Sequence, residues 1–209
     1  MCRTWPAACV VILALQGCHP ETNDKPRAAA RPEVTEQKAA VLEQYAAAGN
    51  NKAPPGTELI GKAAVQVVDP HGKEPMDDAI TCLARTIYWE ARGESAASEE
   101  AVASVVMNRL GHAGFPDTVC GVVKQGNELG ACQFSWWCDG RPDQAIHGEP
   151  YAEAKEIARR ALNGKLKDRT DGALYFHQQS VSPGWASSYL RTATVGKLVF
   201  YKPPDSKAR

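Results

Sequence analysis

The chain has 209 residues, with 24 basic side chains against 24 acidic ones and 44% apolar residues. That length supports one self-sustaining hydrophobic core with some additional chain. A formal net charge of zero excludes the basic excess or stripe that a nucleic-acid-binding protein carries, so no nucleic-acid partner is expected.

Arg3 forms a minimal positive start, and the apolar run from Pro6 to Leu15 is too short to span a bilayer. Leu15-Gln16-Gly17-Cys18 follows directly and resembles a bacterial lipobox. The motif implies an 18-residue signal, lipidation of Cys18 and attachment to a membrane through the N-terminal lipid; an ordinary secretory signal is the alternative. His19 lacks the aspartate that retains enterobacterial lipoproteins in the inner membrane, so under that sorting logic the outer membrane, facing the periplasm, is expected.

Of the seven cysteines, Cys2 and Cys9 leave with the signal and Cys18 takes the lipid. Cys82, Cys120, Cys132 and Cys138 remain, and in an oxidising compartment four cysteines suggest two disulfides with three possible pairings. The preferred set is Cys132–Cys138, bracketing a short aromatic loop, together with Cys82–Cys120. A zinc site with His112, His147 or His177 is the competing use, but neither CxxC nor HExxH spacing is present, so no metal is expected.

Residues 19–76, rich in Ala, Pro, Lys and Glu, read as a largely disordered tether, with a marginal helix over Glu33 to Ala48 and a short strand or extended approach in Glu58 to Asp69. A folded domain spans 77–203, followed by a tail at 204–209. Its first helix runs from Asp78 to Arg92. Ser98 is the expected N-cap of a second helix that stops at Gly111. Val119 to Val123 form a short apolar stretch, and a long loop then leads to Gly148. A third helix opens at Glu149-Pro150 and closes at Asn163-Gly164. Ala173 to His177 and Lys197 to Tyr201 read as strands of a small hairpin. The expected class is α+β, mainly helical.

Two segments carry candidate chemistry. In Tyr88-Trp89-Glu90-Ala91-Arg92-Gly93-Glu94, the residues Ile80, Leu83, Ala84, Ile87 and Ala91 share one helical face, and Glu90 lies within roughly 20° of Leu83 at the edge of that buried stripe. A carboxyl half sunk among apolar groups holds its proton towards neutrality, as a general acid requires. A helix-end ion pair of Glu90 with Arg92 is the competing reading. Arg92 and Glu94 are expected to support the site, Arg92 by orienting a loop or Glu94. The second segment is the loop Cys132-Gln133-Phe134-Ser135-Trp136-Trp137-Cys138-Asp139-Gly140, where indoles beside amide and carboxylate groups suit sugar rings. One tryptophan is expected in the core and the other, Trp137, in a cleft with Gln133, Ser135 and Asp139. Tyr175 is a further candidate for substrate contact, and His177 reads as a satisfied structural histidine.

Tyr88 to Glu94, Asn108-Arg109, Phe115 to Val123, Cys132 to Trp136, Cys138-Asp139-Gly140, and Val195-Gly196 before Phe200-Tyr201 together resemble the SleB-type cell wall hydrolases, which include spore cortex-lytic enzymes. The resemblance covers about residues 78 to 202 in order. It implies a lysozyme-like, goose-type transglycosylase fold acting on peptidoglycan glycan strands, with Glu90 as catalytic acid and no cofactor. Leu198 stands where the family often has His. The reading that follows is lytic transglycosylation by a single carboxylate in a monomer. The alternatives are a muramidase whose second carboxylate is Asp139, Glu94 or Asp117, and a non-catalytic peptidoglycan-binding lipoprotein.

Overall fold

The computed structural model describes residues 31–50, 52–127 and 132–204; the lipobox and Cys18 lie outside them. Among the described residues the α+β, mainly helical class is the one observed. It comprises α1 (Pro32–Ala47), α2 (Lys62–Gln66), α3 (Ala79–Ala91), α4 (Ala96–Arg109), α5 (Val119–Lys124), α6 (Gly148–Leu162), β1 (Tyr175–Gln178), β2 (Leu190–Val195) and β3 (Leu198–Lys202). No helix among the described residues is long and apolar enough to cross a membrane.

The central helix is α3. Asp78 caps it, its carboxylate accepting from Ile80 N at 2.8 Å and Thr81 N at 3.0 Å, which satisfies two of the donors a helix start leaves open. The stripe Ile80, Leu83, Ala84 and Ile87 is buried in the main core, which α1, α4, α5 and α6 complete. Cys82 joins Cys120 across a Cα separation of 5.2 Å, tying α3 to α5, and Cys132 joins Cys138, so both expected bridges are present.

A second, smaller core lies between α3, α4 and the sheet: Ala91, Ala101, Val102, Val105, Ala173, Leu198 and Phe200. The sheet order is β1-β3-β2, antiparallel throughout, with an irregularity between Arg191 and Ala193. Here a three-stranded sheet replaces the expected hairpin. The additional strand, β2, contains Arg191-Thr192-Ala193-Thr194 and is an edge strand largely open to solvent, so it lacks an apolar signature. Gly196 turns β2 into β3 with φ of 55°, and a Cβ there would stand 2.4 Å from Ser98 Oγ. The hairpin tip is therefore seated on the first turn of α4.

The tether expectation fails for the described part of residues 31–76. α1 buries Thr35, Ala39, Leu42 and Glu43, and the Glu43 carboxylate accepts from Val119 N at the start of α5. The stretch 58–69 is not a strand: Lys62-Ala-Ala-Val-Gln forms α2, and Ile60 is clamped to the end of α6. The Asn163 side chain accepts from Ile60 N and donates to Ile60 O, both at 3.0 Å. Alanine-rich composition concealed this, because a small residue such as Ala39 fills a close helix contact without the bulk that marks a core.

At the next turn, Asp69 anchors a buried network. Its Oδ1 accepts from Lys73 N and Glu74 N, while its Oδ2 accepts from Arg85 Nε, Arg85 Nη2 and the Tyr151 hydroxyl. Helix α4 also starts earlier than expected. Ser95 is its cap, accepting from Ser98 N, and Ser98 is a buried first-turn residue.

Candidate active site

Glu90 occupies the last turn of α3 and is half-buried, whereas its neighbour Tyr88 is fully buried. Burial lifts its carboxyl from the usual 4.5 to about 7, and the charge opposing that rise is the Arg109 guanidinium. This is the state of a group able to donate a proton near neutral pH.

Arg109 ends α4 and is only 3% exposed. Its Nε donates to Leu174 O at 2.7 Å, while its Nη1 is buried without a hydrogen-bond partner. Three rings surround the guanidinium carbon, Phe134 at 5.0 Å, Phe115 at 5.3 Å and Tyr175 at 5.5 Å. Burial draws its pKa down to about 10, against the pull of Tyr175 and Glu90, so it remains a cation at neutral pH. A cation in an aromatic box, whose charge already acts on the Glu90 carboxyl, can stabilise that carboxyl once its proton has gone. Asn108-Arg109 belongs to the motif set, but an arginine at a helix end would ordinarily reach solvent. The nearby aromatics Phe115, Phe134 and Tyr175, scattered across 60 residues, are what bury it.

The other expected site residues divide. Arg92 neither pairs with Glu90 nor orients Glu94. It is exposed, its Nη1 donates to the Tyr88 hydroxyl at 2.8 Å, and its guanidinium lies over the rings of Tyr88 and Trp89. Glu94 is bound to Lys197 at 3.0 Å, which fastens the β2–β3 turn to the α3–α4 turn. Asp139 is exposed and accepts from Arg141 N at 2.8 Å, so it holds its own loop. Gln133 and Ser135 are exposed, and Gln133 N donates to Gln125 O.

Trp136 is 7% exposed and belongs to the main core, while Trp137 is half-buried. Trp137 also packs against that core and carries the Lys124 ammonium over its ring at 5.0 Å. A lysine on the indole face leaves that face less free for a sugar. Tyr175 stands in β1 among Phe115, Trp185 and Tyr189 and is half-buried. His177 donates from Nδ1 to Gln178 O, shares a hydrogen bond between Nε2 and the Tyr201 hydroxyl and stacks on Tyr201, a fully engaged structural arrangement.

Glu99 is a second carboxyl pushed up to about 7, first by burial and then by Glu153 of α6. Its neighbour in charge is thus on α6 rather than Arg109. A cavity of about 400 Å³ between α1, α4 and α6, lined by Leu42, Tyr45, Met107, Asn108 and Leu166, does not include Glu90.

A family model described as Cell Wall Hydrolase matches residues 93–201, so Glu90 stands three residues ahead of the matched segment. The chain is 35% identical over 148 residues to a spore cortex-lytic enzyme of Oceanobacillus iheyensis, covering 70% of this chain and 48% of that protein. It is 34% identical over 125 residues to a spore cortex-lytic enzyme of Halalkalibacterium halodurans, covering 59% and 34% respectively. The chain therefore spans about half the length of these curated relatives or less. Among solved structures, the catalytic domain of the germination-specific lytic transglycosylase SleB from Bacillus anthracis is 32% identical, over 64% of this chain and 99% of that one, with a TM-score of 0.49.

Proposed function

Since this chain belongs to the cell wall hydrolase family, we propose that it cleaves peptidoglycan glycan strands by lytic transglycosylation, with Glu90 as the single catalytic carboxylate. The observation that carries this reading is the pairing of Glu90 with Arg109: a carboxyl protonated to about pH 7 by burial, and a buried cation, with a donor uncommitted, whose charge acts on it.

In the first step Glu90 donates its proton to the oxygen joining N-acetylmuramic acid to N-acetylglucosamine. The C1–O bond breaks, the electron pair leaves with that oxygen, and positive charge spreads over the muramoyl ring. Glu90 is now an anion, the form that the Arg109 charge favours. In the second step Glu90 removes the proton from the muramoyl C6 hydroxyl. That oxygen attacks C1 and closes a 1,6-anhydro ring, and Glu90 regains the proton it gave. No second carboxylate is needed. A hydrolase would place one about 5–9.5 Å from the acid, but Glu94 is committed to Lys197 and Asp139 to its own loop. Asp117 is exposed at the turn before α5.

Digestion of purified sacculi followed by mass spectrometry tests the reading. Products ending in 1,6-anhydromuramic acid are expected. Reducing ends would make the enzyme a muramidase, free stem peptides would make it an amidase, and binding without release would make it a wall-binding protein.

We also infer that Cys18 carries lipid and holds the domain at a membrane facing the wall, with the outer membrane as the expected site. The lipobox Leu15-Gln16-Gly17-Cys18 supports this. Cys18→Ala should move the protein from the membrane fraction to the soluble one; equal retention of both forms on membranes would refute the anchor.

A further inference from the structure

The sheet has two faces, and the second is covered less completely than the first: Val199 and Tyr201 of β3 are buried there, whereas Tyr175 and His177 of β1 are half-buried. Phe176, Ala193, Val195, Leu198 and Phe200 face the smaller core beneath α3 and α4. The alternating positions of the same strands present Tyr175, His177, Val199 and Tyr201, with Tyr175 opposite Tyr201 and His177 opposite Val199 in the register. Over this second face runs the 3-10 turn Gly184–Ser188, none of whose residues is buried.

From that turn and the residue after it, Trp185 and Tyr189 descend onto the sheet. Trp185 lies 5.8 Å from Tyr175, 5.7 Å from His177, 5.4 Å from Tyr189 and 5.5 Å from Tyr201, at tilted or edge-on angles. Tyr189 meets Tyr175 at 4.9 Å. Tyr175, Trp185 and Tyr189 nevertheless remain half-buried, so ring surface stays open to solvent. A tryptophan recruited to close a core would be covered; this one is braced by other rings and left partly bare.

Resting on the transglycosylase reading above, we propose that Tyr175, Trp185 and Tyr189 form a pyranose-binding platform that takes the β-1,4-linked N-acetylhexosamine strand and delivers it to Glu90. Continuity carries the assignment. The Tyr175 ring is one wall of the Arg109 box, and Arg109 is the charge acting on Glu90. The chemistry of the surface fits a neutral glycan: it is built from rings with hydroxyl and indole donors. Burial, and then the adjacent Tyr189 phenol, push the Tyr175 hydroxyl upward, so it stays a protonated donor at neutral pH. Stacking serves the C–H face of a pyranose, and those donors serve its hydroxyls and acetamido groups. Trp137, in contrast, has Lys124 over its ring and its body against the main core.

Sequence signals for this surface exist in retrospect. Trp185 sits in Ser180-Val181-Ser182-Pro183-Gly184-Trp185-Ala186-Ser187-Ser188, a large aromatic in a run of turn residues where a core position would not be expected.

The test measures binding of soluble N-acetylglucosamine oligosaccharides and of purified sacculi to the full chain, alongside cleavage of sacculi. Trp185→Ala and Trp185→Leu, the second retaining apolar bulk under the turn, should each weaken oligosaccharide binding by about tenfold. Both should raise KM on sacculi with kcat nearly unchanged, the signature of lost uniform binding. Trp137→Ala should bind as wild type. If the Trp185 variants melt like wild type and bind normally while wild type cleaves sacculi, the platform is overturned and the proposed function stands. If wild type binds oligosaccharides in a Trp185-dependent way but releases no glycan fragments, the platform stands and the transglycosylase reading falls.

Discussion

Replacing Glu90 with Gln is expected to reduce glycan cleavage by about 10²–10⁴-fold, because it preserves shape and removes the transferable proton. The same change should stabilise the protein at alkaline pH. The wild-type carboxyl titrates at about 7 in the folded protein, against 4.5 for an unburied glutamate. Between those values the folded state holds a proton that the unfolded state has lost, so wild-type stability falls as pH rises from about 4.5 through about 7 and then levels. The difference corresponds to ~3 kcal/mol, and glutamine, which never ionises, escapes it. Melting temperature at pH 8 should therefore be higher for Glu90→Gln than for wild type, and the two should converge near pH 4. Wild-type activity should decline as pH rises through about 7, where the acid loses its proton. Residual cleavage above about a tenth of wild type would remove Glu90 from the mechanism, whatever the stability data show.

The second large effect is expected at Asp69, which the proposed mechanism does not use. Burial alone would raise its pKa, but hydrogen bonds from the Tyr151 hydroxyl, Glu74 N and Arg85 outweigh burial and hold it below 3.8. The Arg85 and Asp69 side chains are 4% and 0% exposed. Removing one partner of such a buried pair leaves the other charge without compensation, at a cost of about 3–5 kcal/mol. Asp69→Asn isolates that charge, because asparagine also tolerates the φ of 41° found here and keeps an acceptor for Lys73 N and Glu74 N. Urea unfolding should show the loss, and pairing the change with Arg85→Met should recover much of it. A loss below 1 kcal/mol would mean that water reaches Arg85 freely. The sign with pH is opposite to that of Glu90: the Asp69 contribution is complete above pH 3.8 and disappears as pH falls through its lower folded value.

The central helix was legible because several independent signals agree on it. Asp78 caps α3, its apolar stripe repeats at helical spacing, and Glu90 falls at the stripe edge, where the structure finds it half-buried. The disulfide set followed from the short span between Cys132 and Cys138. Arg109 was not legible as part of the site, since its burial depends on Phe115, Phe134 and Tyr175, which converge only in three dimensions. The platform was hidden for a related reason. Tyr175 and Trp185 are ten residues apart in sequence, and only the register of β1 on β3 and the 3-10 turn above brings their rings together. Local chemistry also misled at the start of α4, where Ser95 and Ser98 are both competent caps and the earlier one is used.

The seat of α1 has a practical consequence for building chimeras. Glu43 supplies the acceptor for the first amide of α5, and Leu42 and Ala39 close the same seam. A graft whose crossover follows the family match at residue 93 would leave out α3 together with its acid, Glu90, and one cut at residue 77 would strip α5 of its acceptor and bare the seam. The portable unit thus includes Pro32, and fusion joints, reporter tags and exchanged leaders belong ahead of that residue.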